Sequence, residues 1–148
     1  MTSLALPPIP RVGCGALIQR GGSILLLRRL TQPEAGCWGI PGGKVDPFET
    51  VQDAVRREVC EETGLRFVGG DLLCVVDQID QDAGDHWVAP VYLVEAFEGE
   101  ARILEPTKHA DLGWFELTAL PQPLTAATVA SARALLARQS DRKDAARA

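Results

Sequence analysis

The sequence predicts an α/β fold in which one mixed sheet is layered between helices. Short apolar runs that read as strands stand both before and after a single central helix, a second helix follows near the end, and a Gly- and Pro-rich stretch separates the early strands from the first helix. At 148 residues, with 46% apolar and 24% charged side chains, the chain has the balance of an ordinary globular protein with a substantial core. One domain over 1–148 is expected, with 1–9 and 140–148 flexible.

The lead MTSLALPPIP lacks a basic flank and is interrupted by prolines, so it does not read as a signal peptide. No stretch approaches the roughly 18 apolar residues of a membrane span, and a cytoplasmic location is expected. VGCGALI and SILLLRR read as strands joined by the turn-forming RGG, and residues 31–48, TQPEAGCWGIPGGKVDPF, as mostly loop. Thr50 is placed to cap a helix running to about Glu62, with Asp53 in a near capping-box position and Gly64 as its left-handed stop. LLCVVDQI and HWVAPVYLVEAF follow as strands around the polar DQDAGD, and DLGWFEL as another. TAATVASARALLAR, from Thr125 to about Arg138, reads as a second helix, and the polar SDRKDAARA as a frayed tail.

A formal net charge of −5 does not invite nucleic acid or an anionic membrane, so an anionic substrate would need a countercation or a local basic patch. The cysteines at 14, 37, 60 and 74 form no CxxC, and Cys14 and Cys74 sit in apolar runs; reduced thiols are expected.

The central helix carries the chemical signal. Val51, Ala54 and Val55 set an apolar stripe that steps of three and four extend to 58, 59 and 62, yet 58 and 62 are glutamates. A charged face is ordinarily solvated, but here the phase turns Glu58 and Glu62 inward, where carboxylates are costly without counter-charge. Arg56 and Arg57 are too few to balance them together with Glu61. A hard divalent cation meets the need, since Mg²⁺ takes carboxylate oxygens and shares substrate phosphates. PGGK at 41–44 lets backbone approach such a site closely.

Read together, GGKVDPFETVQDAVRREVCEETGL resembles the Nudix box, with Gly43, Glu49, Arg57, Glu58, Val59, Glu61, Glu62, Gly64 and Leu65 at its defining positions. The resemblance implies a Nudix hydrolase with an α/β/α sandwich fold and Mg²⁺, or Mn²⁺ in its place, as cofactor. It further implies Glu58 and Glu62 as principal metal ligands, and Glu61 in the metal shell or activating water. The Gly43 carbonyl would be another ligand, with Arg57 and Glu49 orienting the acids.

Outside the box the resemblance suggests Glu105 as one more carboxylate for the metal, with Glu95, Glu98 and Glu100 as competitors. Arg28 and Arg29 are candidate phosphate contacts, because guanidinium matches phosphate bidentately. Trp38 and Ile40 stand where they could line a base pocket, or Trp38 could be a core aromatic. His86 is a candidate substrate contact or base, and His109 has less to recommend it. DQIDQDAGD fails as an EF-hand, since Asp85 and Val91 occupy the required Gly and Glu positions.

RRL, HWV and EPTKHADLGWFELTALPQPL resemble the MutT-type small nucleoside triphosphate pyrophosphohydrolases, which implies cleavage to a monophosphate and pyrophosphate. Where the ADP-ribose group usually carries a proline, Asp80 stands here. A prenyl diphosphate or ADP-ribose-type hydrolase, or a Nudix-fold protein that binds a nucleotide without cleaving it, are the alternatives. The expected partner is a nucleotide or other diphosphate-containing small molecule, and a homodimer is common among proteins of this kind.

Overall fold

The computed structural model describes residues 7–148. Its elements, in chain order, are β1 (Arg11–Arg20), β2 (Ser23–Arg29), β3 (Trp38–Gly39), β4 (Gly42–Lys44), α1 (Val51–Thr63), β5 (Asp71–Asp80), β6 (Asp85–Val94), β7 (His109–Glu116) and α2 (Ala126–Arg147). The seven strands form one mixed sheet ordered β3-β2-β1-β6-β5, with β4 added on β1 and β7 on β2. Only β1 and β6 run parallel; the remaining pairs are antiparallel.

Side chains alternate across β1 and β2, which lets these strands serve two cores at once. Cys14, Ala16, Ile18 and Leu25 pack with Ala54, Val55 and Val59 of α1. Leu17, Ile24 and Leu26 face the other way and pack with Trp38, Val91, Leu93 and Leu135, the last from α2. The result is helix, sheet, helix: the α/β/α sandwich expected from the sequence.

The helix ends follow from local chemistry. Thr50 Oγ1 accepts the Asp53 N–H at 3.1 Å, and Thr125 Oγ1 accepts that of Thr128 at 3.2 Å, each satisfying an amide that helix geometry leaves open. Gly64 closes α1 at φ 79°, and its N–H donates to the Cys60 carbonyl.

The stretch 31–48 is mostly loop, as expected, with Trp38–Gly39 and Gly42–Lys44 as short strands paired with β2 and β1. One expectation needs correction: the second helix does not end near Arg138 but continues to Arg147, through the segment read as a tail. Ala and Arg make up five of the nine residues 140–148, with no Gly or Pro after Pro123, and their helix propensity outweighs the segment's polarity. Within the expected flexible lead, residues 7–9 are exposed coil, and 1–6 lie outside the described residues. All four cysteines are free, and burial pushes the Cys14 thiol up to about 11. No described helix is long and apolar enough to cross a membrane.

Leu17 is fully buried at the centre of the second core. Leu17→Ala should therefore cost about 2–5 kcal/mol, read as a lowered midpoint in urea unfolding with an unchanged slope.

Candidate active site

The turn before α1 and the helix itself converge on Arg57. The chain reverses at Phe48, where φ is 67°, and Glu49 is brought back against the helix. Arg57 Nε and Nη2 then donate to the two Glu49 oxygens at 2.8 and 2.9 Å, a bidentate pair. Its Nη1 donates to Glu58 Oε1 at 2.9 Å and to Glu61 Oε2 at 3.4 Å, while Nη2 also donates to the Lys44 carbonyl at 3.0 Å. One guanidinium thus ties the loop, β4 and two acids of the helix together. The bond to Arg57 holds the Glu49 carboxyl down at about 2, and Glu49 in turn raises the Arg57 pKa.

Glu58 lies against β4. A Cβ on Gly43 would overlap its carboxylate, so only glycine lets the acid reach this strand. Burial raises the Glu58 pKa, against the lowering effect of Arg57.

One turn on, Glu62 is among the few charged residues of the interior, at 6% exposed. Its Oε1 accepts the Gly42 N–H at 3.3 Å, and its Oε2 lies 3.5 Å from His109 Nε2. Burial first, and then the Glu58 charge beside it, push its pKa up to about 9. Glu105 also acts on it: this acid pairs with Lys108 Nζ at 3.0 Å on the loop before β7. Gly43, Glu58 and Glu62 thus meet where β4 packs on α1, and Glu105 acts on Glu62 from the loop before β7. Glu61, whose side chain is 52% exposed, stands at the solvent side.

These donors suit a hard divalent cation. They are carboxylate and carbonyl oxygens, and a buried acid sits beside a second acid with no arginine or lysine against it. Among the described residues no three acidic, His or Cys side chains form a ready-made ligand set, and the Glu58 and Glu61 carboxylates are held by Arg57 instead.

The remaining candidates are spread more widely. Arg29 is the β2 partner of His109, and its Nε donates to the Pro33 carbonyl at 2.8 Å; Arg28 Nε donates to Gly36 at 3.3 Å. Trp38 is 9% exposed and edge-on to Phe115, 4.9 Å between ring centres, which makes it a core aromatic rather than a pocket wall. Ile40 packs against that same core. His86 pairs with Ile79 near the β5–β6 turn.

Trp87 has a place here that its sequence did not announce. The ring of Trp87 and the Gly43 carbonyl both border Gly13, at 3.5 and 3.3 Å from where its Cβ would be, and Arg11 lies over that ring at 4.4 Å. Strand geometry over HWVAPV offered a hint, since it sends His86 and Trp87 to opposite faces. His109 had no comparable signal.

Comparison with known proteins agrees with the geometry. A family model described as NUDIX domain matches residues 7–141. An ADP-ribose pyrophosphatase of Methanocaldococcus jannaschii is 36% identical over 113 residues, 76% of this chain and 66% of that protein. An 8-oxo-dGDP phosphatase of Homo sapiens is 35% identical over 108 residues, 70% of this chain but only 31% of that protein. The crystal structure of a MutT Nudix hydrolase from Burkholderia pseudomallei superposes with a TM-score of 0.83 at 59% identity, covering 84% of this chain and 97% of that one. By the family model over most of its length and these relatives, the chain belongs to the Nudix hydrolase family, among its MutT-type members.

Proposed function

We propose that this Nudix-type pyrophosphohydrolase adds water across a phosphoanhydride bond of a nucleoside triphosphate, releasing a nucleoside monophosphate and pyrophosphate, or of a related nucleoside diphosphate derivative, releasing the monophosphate and the phosphorylated remainder. The observation that carries the proposal is the sealed Glu62 carboxylate beside Glu58 and Gly43, an arrangement that calls for a divalent cation. Glu58, Glu62 and the Gly43 carbonyl would hold Mg²⁺, or Mn²⁺, with Glu61 and Glu105 completing the acidic rim. When bound, the ion polarises the phosphoryl group and screens its charge.

The chain's own residues do the rest. Arg57, anchored on Glu49, keeps Glu58 and Glu61 in place and limits their rotamers. Glu61 faces solvent and is positioned to accept a proton from the attacking water. Arg29, next to His109 on β2, is the nearer of the two arginines for a phosphate, with Arg28 beyond it. His86 lies on the strand that also carries Trp87 toward Gly43, and Trp38 supports this side from the core.

A nucleotide is favoured over a prenyl diphosphate by Trp87, a planar aromatic beside the Gly43 carbonyl against which a base can stack. The named activities of the archaeal and human relatives, on ADP-ribose and 8-oxo-dGDP, agree with a nucleoside diphosphate core in the substrate. Retention of every box acid favours turnover over binding alone. A product screen with Mg²⁺ across NTPs, dNTPs, ADP-ribose, dinucleoside polyphosphates and prenyl diphosphates, read by chromatography of the cleaved products, tests this. Turnover confined to nucleotides is expected, and turnover confined to prenyl diphosphates would overturn the substrate class.

Glu62→Gln should abolish Mg²⁺-dependent turnover while circular dichroism shows an intact fold; activity near wild type would refute the metal assignment. Glu105→Gln should lower kcat by a decade or more, about 1.4 kcal/mol of barrier per decade, in steady-state assays. The raised Glu62 pKa also sets a stability trend in metal-free protein. Its contribution is full below the ordinary value of 4.5 and is lost as pH climbs through about 9, because the folded state then holds an unbalanced buried charge. Thermal melts in EDTA should accordingly show Tm falling from pH 5 to 9, with a flatter slope in Glu62→Gln.

A further inference from the structure

His109 is buried to the same degree as Glu62, with both side chains 8% exposed. Its Nδ1 is sealed from solvent and has no hydrogen-bond partner among the described residues. Packing alone would favour an apolar side chain here, since a buried polar atom left unmet opposes folding. The compensating feature is on the other side of the ring, where Nε2 faces Glu62 Oε2 at 3.5 Å.

Resting on the metal reading above, we propose that His109 is a positioning residue for Glu62, holding its carboxylate in the orientation that a divalent cation requires. The two Glu62 oxygens are addressed from different elements: Oε1 by the Gly42 N–H of β4, Oε2 by the imidazole at the start of β7. Between these contacts the carboxylate has little freedom to turn.

The backbone makes the ring a rigid support. The His109 N–H donates to the Glu105 carbonyl at 3.1 Å, and the Leu30 N–H donates to the Lys108 carbonyl at 2.9 Å, which ties this turn to the end of β2. The same loop is fastened to the last turn of α1. The Leu104 N–H donates to the carbonyl of Glu62 itself at 3.3 Å, and the Arg102 N–H to that of Thr63 at 3.0 Å. One loop therefore grips the helix residue by its backbone, steadies its side chain through His109, and delivers Glu105 to the same place. Partners of this kind, behind a ligand, commonly govern metal affinity about 10–100-fold.

The test uses Mn²⁺ alone, followed by electron paramagnetic resonance, on the wild-type protein and on H109F, H109Q and H109N. Phenylalanine keeps the ring without either nitrogen. Glutamine can bring an amide N–H to the place of Nε2, whereas asparagine reaches only as far as Nδ1. H109F should melt in EDTA no lower than wild type, bind Mn²⁺ about tenfold or more weakly, and lose kcat with substrate KM nearly unchanged. H109Q should recover most of the Mn²⁺ affinity, and H109N should not. Wild-type affinity in H109F, or equal affinities in H109Q and H109N should the phenylalanine variant not fold, would overturn the role of His109. Wild-type protein that itself fails to bind Mn²⁺ would instead overturn the metal reading, and this inference with it.

Discussion

A carboxylate buried next to another carboxylate has three ways to exist: it can take a proton, meet a cation, or force the structure open. Glu62 is in this position. It is enclosed by β4, α1 and the approach to β7, with Glu58 one turn away, and the strong upward shift of its pKa measures how poorly its charge is matched by protein groups alone. The rest of the site is arranged around that imbalance. Gly43 has no side chain so that Glu58 can lie against the strand, Gly42 gives its N–H to Glu62, and a loop crosses the helix end to bring His109 and Glu105 alongside.

Arg57 and Glu62 divide the work of the box. The guanidinium is a hub that fixes the loop through Glu49 and orders the half-buried acids, using bonds that are strong because both partners are charged. It lies on the solvent side and does not reach Glu62. The glutamates differ accordingly: Glu49 is fully met by Arg57, Glu58 only in part because burial still raises its pKa, and Glu62 is held in place yet not neutralised. A purely structural salt-bridge network would instead give each acid its own base, and the uneven pairing is what favours the proposed cation.

Much of this was legible in the residues. The stripe from Val51 through Val59 places Glu62 inward, and the buried set of α1, including Ala54, Val55, Val59 and Glu62, follows that phase. SILLLRR forms β2 over the expected residues, and Gly64 takes the left-handed cap. Local periodicity and turn chemistry suffice where a segment's own pattern decides its structure. The extension of α2 to Arg147 was obscured by polarity, because an exposed helix needs propensity rather than an apolar stripe. Trp87, Trp38 and His109 were harder for a different reason. Their surroundings come from strands distant in the chain, β1 with β6 and β2 with β7, and no spacing within one segment reveals what a cross-strand neighbour will be. His109 in particular reads as an ordinary surface histidine until β7 docks it against α1.

The balance of charge at Glu62 can be observed directly. Crystals soaked with Mn²⁺ and a non-hydrolysable nucleoside triphosphate, measured at the manganese absorption edge, locate the ion without reference to any assay. The account predicts an anomalous peak bounded by the Glu58 and Glu62 carboxylates and the Gly43 carbonyl, with the phosphates on its open side. A peak elsewhere, or none while nucleotide is bound, would contradict it.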